Sequence, residues 1–155
     1  MDFTVENGRP PAPGIGLGIC RRATMKPSEY LQSVKNRLLT DQRISGYQIV
    51  REFEGLRKAY IRARLTLVDG GFLEFAEYIE TSADNESQIT QYSYQWIDAA
   101  GKFIRRWDNT PHHPDLENFP HHIHSADGEA TPGKPTNISA VLDEVEAISG
   151  QLRTD

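Results

Sequence analysis

All five histidines of the chain lie between His112 and His124, in the run Pro111-His112-His113-Pro114-Asp115-Leu116-Glu117-Asn118-Phe119-Pro120-His121-His122-Ile123-His124. Imidazole is the side chain whose ordinary pKa lies nearest neutrality, and it is the commonest metal ligand. Packing alone gives no reason to set two His-His pairs and an outlying His about a Phe-Pro. The residues just before the run, Arg105-Arg106-Trp107-Asp108-Asn109, add two cations, an aromatic ring and a carboxylate.

Two chemistries fit these residue types. In the first, one imidazole is a general base and another a general acid near neutral pH, without metal. Cleavage of an RNA phosphodiester needs that pair: the base takes the 2′-OH proton and the acid protonates the leaving 5′-oxygen. Arginines then stabilise charge on the phosphoryl oxygens, and Arg62, Arg64, Arg105 and Arg106 are the candidates. His112, His113, His121, His122 and His124 are the candidate proton carriers, with Asp108 to orient one of them. In the second chemistry, His122 and His124 lie two apart on an extended segment and so share a side. With Asp108, or a member of the His112-His113 pair, they hold a divalent metal. No HExxH or paired CxxC spacing supports that alternative. The bland reading is a surface loop whose imidazoles bond backbone carbonyls.

Other motifs carry less. Tyr92, Tyr94 and Trp96 alternate along one strand; they either stack RNA bases or, more commonly for such a stripe, fill a core. Lys58, Arg62 and Arg64, with Tyr60 among them, read first as a solvated strand face. Cys20 has no histidine near it in sequence and is assigned no chemistry. Gly14-x-Gly16-x-Gly18 neither follows a strand nor opens a helix, so it is no phosphate loop.

The elements that must position the histidines can be read from periodicity. Residues 1–24 are Pro- and Gly-rich and read as a flexible arm, with Met25 an alternative start; residues 25–155 read as a single α+β domain. Lys26-Pro27-Ser28-Glu29 opens a helix in which Tyr30, Leu31, Val34 and Leu38 recur, ending near Asp41. Strands follow at Tyr47–Phe53, Arg57–Asp69, Phe72–Thr81, Gln88–Asp98 and Lys102–Asp108, with Asp69-Gly70-Gly71 a hairpin turn. The span Asn109–Thr136, with its prolines and histidines, is expected to be an irregular excursion. A last helix spans Ser139–Ser149, capped by Gly150. The expected fold is an α+β domain: an antiparallel meander of four to five strands, a helix at each end and a His/Pro-rich loop.

The net charge of −5 hides an asymmetry. Residues 21–64 carry eleven Lys/Arg against four Asp/Glu, and residues 65–155 carry five against sixteen. That excludes a general nucleic-acid coat while leaving a local basic face. One cysteine excludes an intrachain disulfide framework. No apolar run approaches the roughly 20 residues that span a bilayer, and Arg21-Arg22 follow the only weakly apolar N-terminal stretch, the wrong order for a secretory signal. The expectation is a cytoplasmic protein without membrane contact.

The strand Tyr92-Ser93-Tyr94-Gln95-Trp96, the Ile104–Asn109 segment and the His run together resemble the TumE-like family of prokaryotic toxins. The resemblance extends to the hairpin Ala59–Glu80, about the middle half of the chain. It implies a growth-inhibiting toxin, a helix-turn-helix-type antitoxin as partner, and action on RNA or translation. The positions it carries over are Tyr94, Asp108, Asn109, His112, His113, His121, His122 and His124. The N-terminal segment 1–43 and the last helix make the chain longer than compact members.

Overall fold

The computed structural model describes residues 25–154, so the expected arm 1–24 lies outside the described residues. Helix α1 spans Pro27–Thr40. Pro27 occupies its first turn, where no N–H partner is needed, and Glu29 accepts a hydrogen bond from the Lys26 backbone N–H at 3.0 Å. Leu31, Val34 and Leu38 form its buried stripe.

Seven strands follow: β1 Ile44–Glu54, β2 Lys58–Leu67, β3 Phe72–Thr81, β4 Ser87–Ile97, β5 Phe103–Asp108, β6 His122–Ser125 and β7 Ala130–Pro132. They lie in one sheet in sequence order, every neighbouring pair antiparallel. Helix α2, Ile138–Leu152, closes the described chain. The β2–β3 hairpin turns as expected: Gly70 sits at φ +88° and the Gly71 N–H donates to Asp69 Oδ1 at 2.8 Å.

Side chains alternate across this sheet, and the alternation decides the two faces. Ala59, Ile61, Ala63, Leu65, Leu73, Phe75, Tyr94, Trp96 and Trp107 are buried on one face, together with the apolar stripes of both helices. Burial of such side chains contributes roughly 1.5–3 kcal/mol each and is the main stabilising term. At the centre of this face Glu77 is fully buried. Its carboxylate accepts hydrogen bonds from Tyr30 Oη (2.7 Å), Tyr94 Oη (2.8 Å) and the Ile138 backbone N–H (2.8 Å). One acidic group thereby joins α1, the sheet and the first turn of α2. A second tie is Arg43, which donates to Asp41, to the Leu142 carbonyl and to Glu146.

The sequence expectation undercounts the sheet. Asn109–Thr136 is not wholly irregular, because β6 and β7 lie within it. These strands are only four and three residues long, and pairing of β6 with β5 and of β7 with β6, rather than their own composition, holds them extended. Nor does Gly150 end α2: it lies inside the helix, whose C-cap is Arg153. Gly at that position offers a left-handed stop only if the apolar stripe has already ended.

Candidate acid–base and metal-ligand site on the open sheet face

Directly paired residues of antiparallel strands project on the same side of a sheet. The register aligns Arg62, Ala76, Ser93, Asp108 and His122 in one row across β2 to β6, and Arg64, Glu74, Gln95, Arg106 and His124 in the next. Both rows lie on the face opposite the helices. The site is therefore assembled at the late-strand end of an open sheet face that also carries arginines.

Asp108 and His122 are its buried centre, at 0% and 2% exposure. His122 Nε2 lies 2.9 Å from Asp108 Oδ1. The same Oδ1 accepts the Thr110 backbone N–H at 2.9 Å, and Arg106 Nε lies 2.8 Å from Oδ2. His122 Nδ1 lies 2.8 Å from the Pro120 carbonyl, which only accepts, so this nitrogen carries the proton. The contacts of Asp108 with His122 Nε2 and Arg106 Nε are short but are not aligned hydrogen bonds. His122 Nε2 and Asp108 Oδ2 thus remain buried polar atoms without an aligned partner.

His113 and His124 complete the cluster. The rings of His113, His122 and His124 meet edge to face, with centroids 4.8–5.4 Å apart. One ligand nitrogen from each lies within 4.8 Å of the others. His124 Nε2 stands 4.0 Å from Asp108 Oδ2. Burial, reinforced by the neighbouring His122, holds the His124 imidazole below its ordinary pKa, with Asp108 acting in the opposite sense. Both His113 and His124 are half-buried and reach solvent.

The remaining candidates are dispersed. His112 is exposed and outside the cluster. His121 stacks on Tyr92 at 5.8 Å and shares a 2.8 Å hydrogen bond with its hydroxyl; burial lowers its pKa. Tyr94, a candidate RNA contact, is fully buried under the helices and hydrogen-bonded to Glu77, so its ring offers no face to a base. Arg105 projects to the opposite face of β5 from Arg106 and lies over Trp107, 5.7 Å from the ring centroid, away from the cluster. Asn109 is buried, accepting from the Tyr92 N–H and donating to the Thr90 carbonyl, which makes it a brace between β4 and β5. Arg62 and Arg64 do share the open face with the cluster, and both pair with Glu74.

Four residues of this face were not among the candidates read from the sequence. The Pro120 carbonyl and the Thr110 N–H are backbone groups and leave no residue-type signal. Tyr60 and Tyr78 pair across β2 and β3 on the open face, ring centroids 6.2 Å apart. With Arg51 and Phe53 they line an open hollow of about 420 Å³. Their signal was the alternation of β2, which placed Tyr60 among the outward-facing residues. A recess of about 240 Å³ between α2 and the end of β2, lined by Arg43, Leu67, Leu142, Val145 and Glu146 among others, contains none of the histidines.

The family model described as Toxin TumE matches residues 34–152, which takes in the second half of α1, the whole sheet and α2. The chain belongs to this toxin family. The match is wider than the middle-half resemblance seen in the sequence: it takes in α2 and the second half of α1, while residues 1–33 lie outside it. No curated protein matches the chain. No solved structure matches it either. Membership of a TumE toxin family implies an antitoxin partner. Among the described residues no helix is long and apolar enough to cross a membrane.

Proposed function

We propose that this toxin acts on RNA, cleaving its phosphodiester backbone at the His113–His122–His124–Asp108 cluster. The observation that carries the reading is convergence: three of five histidines and a buried carboxylate meet on the one sheet face not covered by helices. The same face supplies groups suited to a single-stranded polyanion. Arg62, Arg64 and Arg106 lie in the two rows that lead to the cluster. The Tyr60–Tyr78 pair offers half-exposed rings for base stacking, a contact worth roughly 1–3 kcal/mol per base.

The cluster divides the work among its members. His122 is buried and locked between the Pro120 carbonyl and Asp108, so it positions rather than touches a substrate. His113 and His124 reach solvent beside it and are the imidazoles that meet the scissile phosphate. The partner is a helix-turn-helix-type antitoxin, a reading that rests on the family resemblance alone.

Growth inhibition on induced expression, relieved by co-expression of a cognate antitoxin, tests the toxin half of this reading. Incubation of purified full-length protein with single-stranded RNA tests the chemistry. Cleavage lost in His124→Ala and retained in His112→Ala is the expected result. Intact RNA with a toxic, folded protein would move the target away from RNA.

A further inference from the structure

We propose that His113, His122 and His124 bind a divalent transition metal of the zinc class, with Asp108 beside them as the anionic fourth ligand. The proposal deepens the preceding reading by naming the cofactor of its site. It rests on that reading only for the ion's purpose, because the site itself is argued from geometry.

The first observation is the state of His122. Its Nδ1 donates to the Pro120 carbonyl, which leaves a lone pair on Nε2 in the neutral ring. That lone pair is buried, 2.9 Å from a carboxylate oxygen, and has no aligned hydrogen-bond donor. Arg106 Nε, 2.8 Å from Oδ2, offsets the carboxylate's charge from one side, but no hydrogen-bond donor reaches Nε2 itself, where two electron-rich atoms face each other in a desolvated site. A ring whose distal N–H is fixed by a backbone carbonyl while the other nitrogen faces the site is the usual arrangement of a metal-bound imidazole.

The second observation is convergence of further donors. The ligand nitrogens of His113 and His124 lie with that of His122 inside 4.8 Å. Nitrogens bound at about 2.0–2.1 Å around a tetrahedral Zn²⁺ stand about 3.4 Å apart. Closing the cluster on an ion therefore needs movements of about 1 Å, within reach of side chains on a short strand and a loop. Asp108 Oδ2, itself buried and without an aligned partner, lies 4.0 Å from His124 Nε2. Three imidazoles and one carboxylate form a borderline-soft set that prefers Zn²⁺ and its first-row neighbours to Mg²⁺ or Ca²⁺.

The purpose of such an ion follows from its place on the open face. It would act as a Lewis acid toward a phosphoryl oxygen entering as a further ligand, and water held at it would take the 2′-OH proton and return one to the leaving 5′-oxygen in place of the imidazoles it binds.

The test uses the full chain, stripped of metal with a chelator and titrated with Zn²⁺ or Co²⁺. One equivalent of Zn²⁺ bound per chain is expected, and Co²⁺ should give the visible absorption of a low-coordinate nitrogen-rich site. Affinity should fall at least 10- to 100-fold in His124→Ala, in His113→Ala and in His122→Gln, and remain unchanged in His112→Ala. His113 and His124 are half-exposed, so their variants remain informative if the His122 variant does not fold. Unchanged affinity in folded His113→Ala and His124→Ala would overturn the proposal, as would absence of binding to the parent protein. RNA cleavage by metal-stripped protein would overturn it while the RNA reading stands. Stoichiometric metal at these residues without RNA cleavage would uphold the site and remove the RNA reading instead.

Discussion

His122 stands directly across from Asp108 in the β5–β6 register, its Nε2 2.9 Å from Oδ1, while its other ring nitrogen is fixed by the Pro120 carbonyl. The pair is buried at the back of the cluster, and His113 and His124 stand between it and solvent. Asp108→Asn keeps the shape but places an amide where a carboxylate faces the imidazoles of His122 and His124. Growth inhibition should fall at least about 100-fold, the usual scale for a displaced acid–base or ligand group. A dose–response of toxicity against expression, with a melt on each protein, measures this. Full toxicity in a folded Asp108→Asn protein would remove the pair from the mechanism.

Gly133 provides a way to disturb the site without touching a titratable group. A Cβ there would lie 3.0 Å from the His122 backbone N and 3.1 Å from its Cα. Backbone cannot swing aside as a flexible side chain does, so β6 must shift by a few tenths of an ångström. Gly133→Ala should lower toxicity more than it lowers stability, because misplacement of about 1 Å can cost 100-fold in rate. Equal toxicity of parent and variant would show that the site tolerates that shift.

Glu77 should make stability depend on pH in a direction opposite to the surface carboxylates. Burial raises its pKa above the ordinary carboxylate value, although its three hydrogen bonds oppose the shift. A folded pKa above the unfolded one means the native state holds the proton to higher pH. Its contribution is therefore complete below the unfolded value and declines as pH rises through the folded value. Glu77→Gln should lack that decline. Urea melts of both proteins from pH 4 to 8 should show the difference between them narrowing or reversing as pH rises; a constant difference would contradict the assignment.

Asp41 behaves in the other sense. Hydrogen bonding to Arg43, with help from Arg37, lowers its pKa against the opposing effect of burial. Its contribution is present above the unfolded value and is lost as pH falls through the folded one. Asp41→Asn should cost about 1–3 kcal/mol at pH 7, since it breaks charge-assisted bonds that link the end of α1 to the turn before β1. The cost should shrink in acid. Melts at pH 7 and pH 3 measure it.

Much of the frame was legible because it rests on local signals. The α1 stripe of Leu31, Val34 and Leu38, the alternation of β2 and the Asp69-Gly70-Gly71 turn each follow from residue spacing and appear within one or two residues of expectation. What failed was set by partners distant in sequence. His122–Ser125 is a strand because Trp107 and Asp108 offer it an edge, and nothing in His-Ile-His-Ser announces that. The location of the histidines was visible, but their division was not. His121 is claimed by Tyr92 and His112 by solvent, assignments that depend on where β4 and the loop lie in space. Arg105 and Arg106, equivalent as letters, were separated by the pleat alone.

The simple meander has a consequence for when the molecule becomes dangerous. Every sheet pairing joins neighbours in sequence, so the ribosome delivers the strands in the order in which they dock. Asp108, the three clustered histidines and Gly133 all belong to the last part of that order. The α2 segment, whose Ile138 N–H completes the bonding of Glu77, comes after them. A nascent chain can therefore pair its strands through β4 before the Asp108–histidine cluster exists. On the proposed function, the interval before release is one in which an antitoxin already present can meet a chain whose sheet is begun but whose site and α2-covered core are not yet complete.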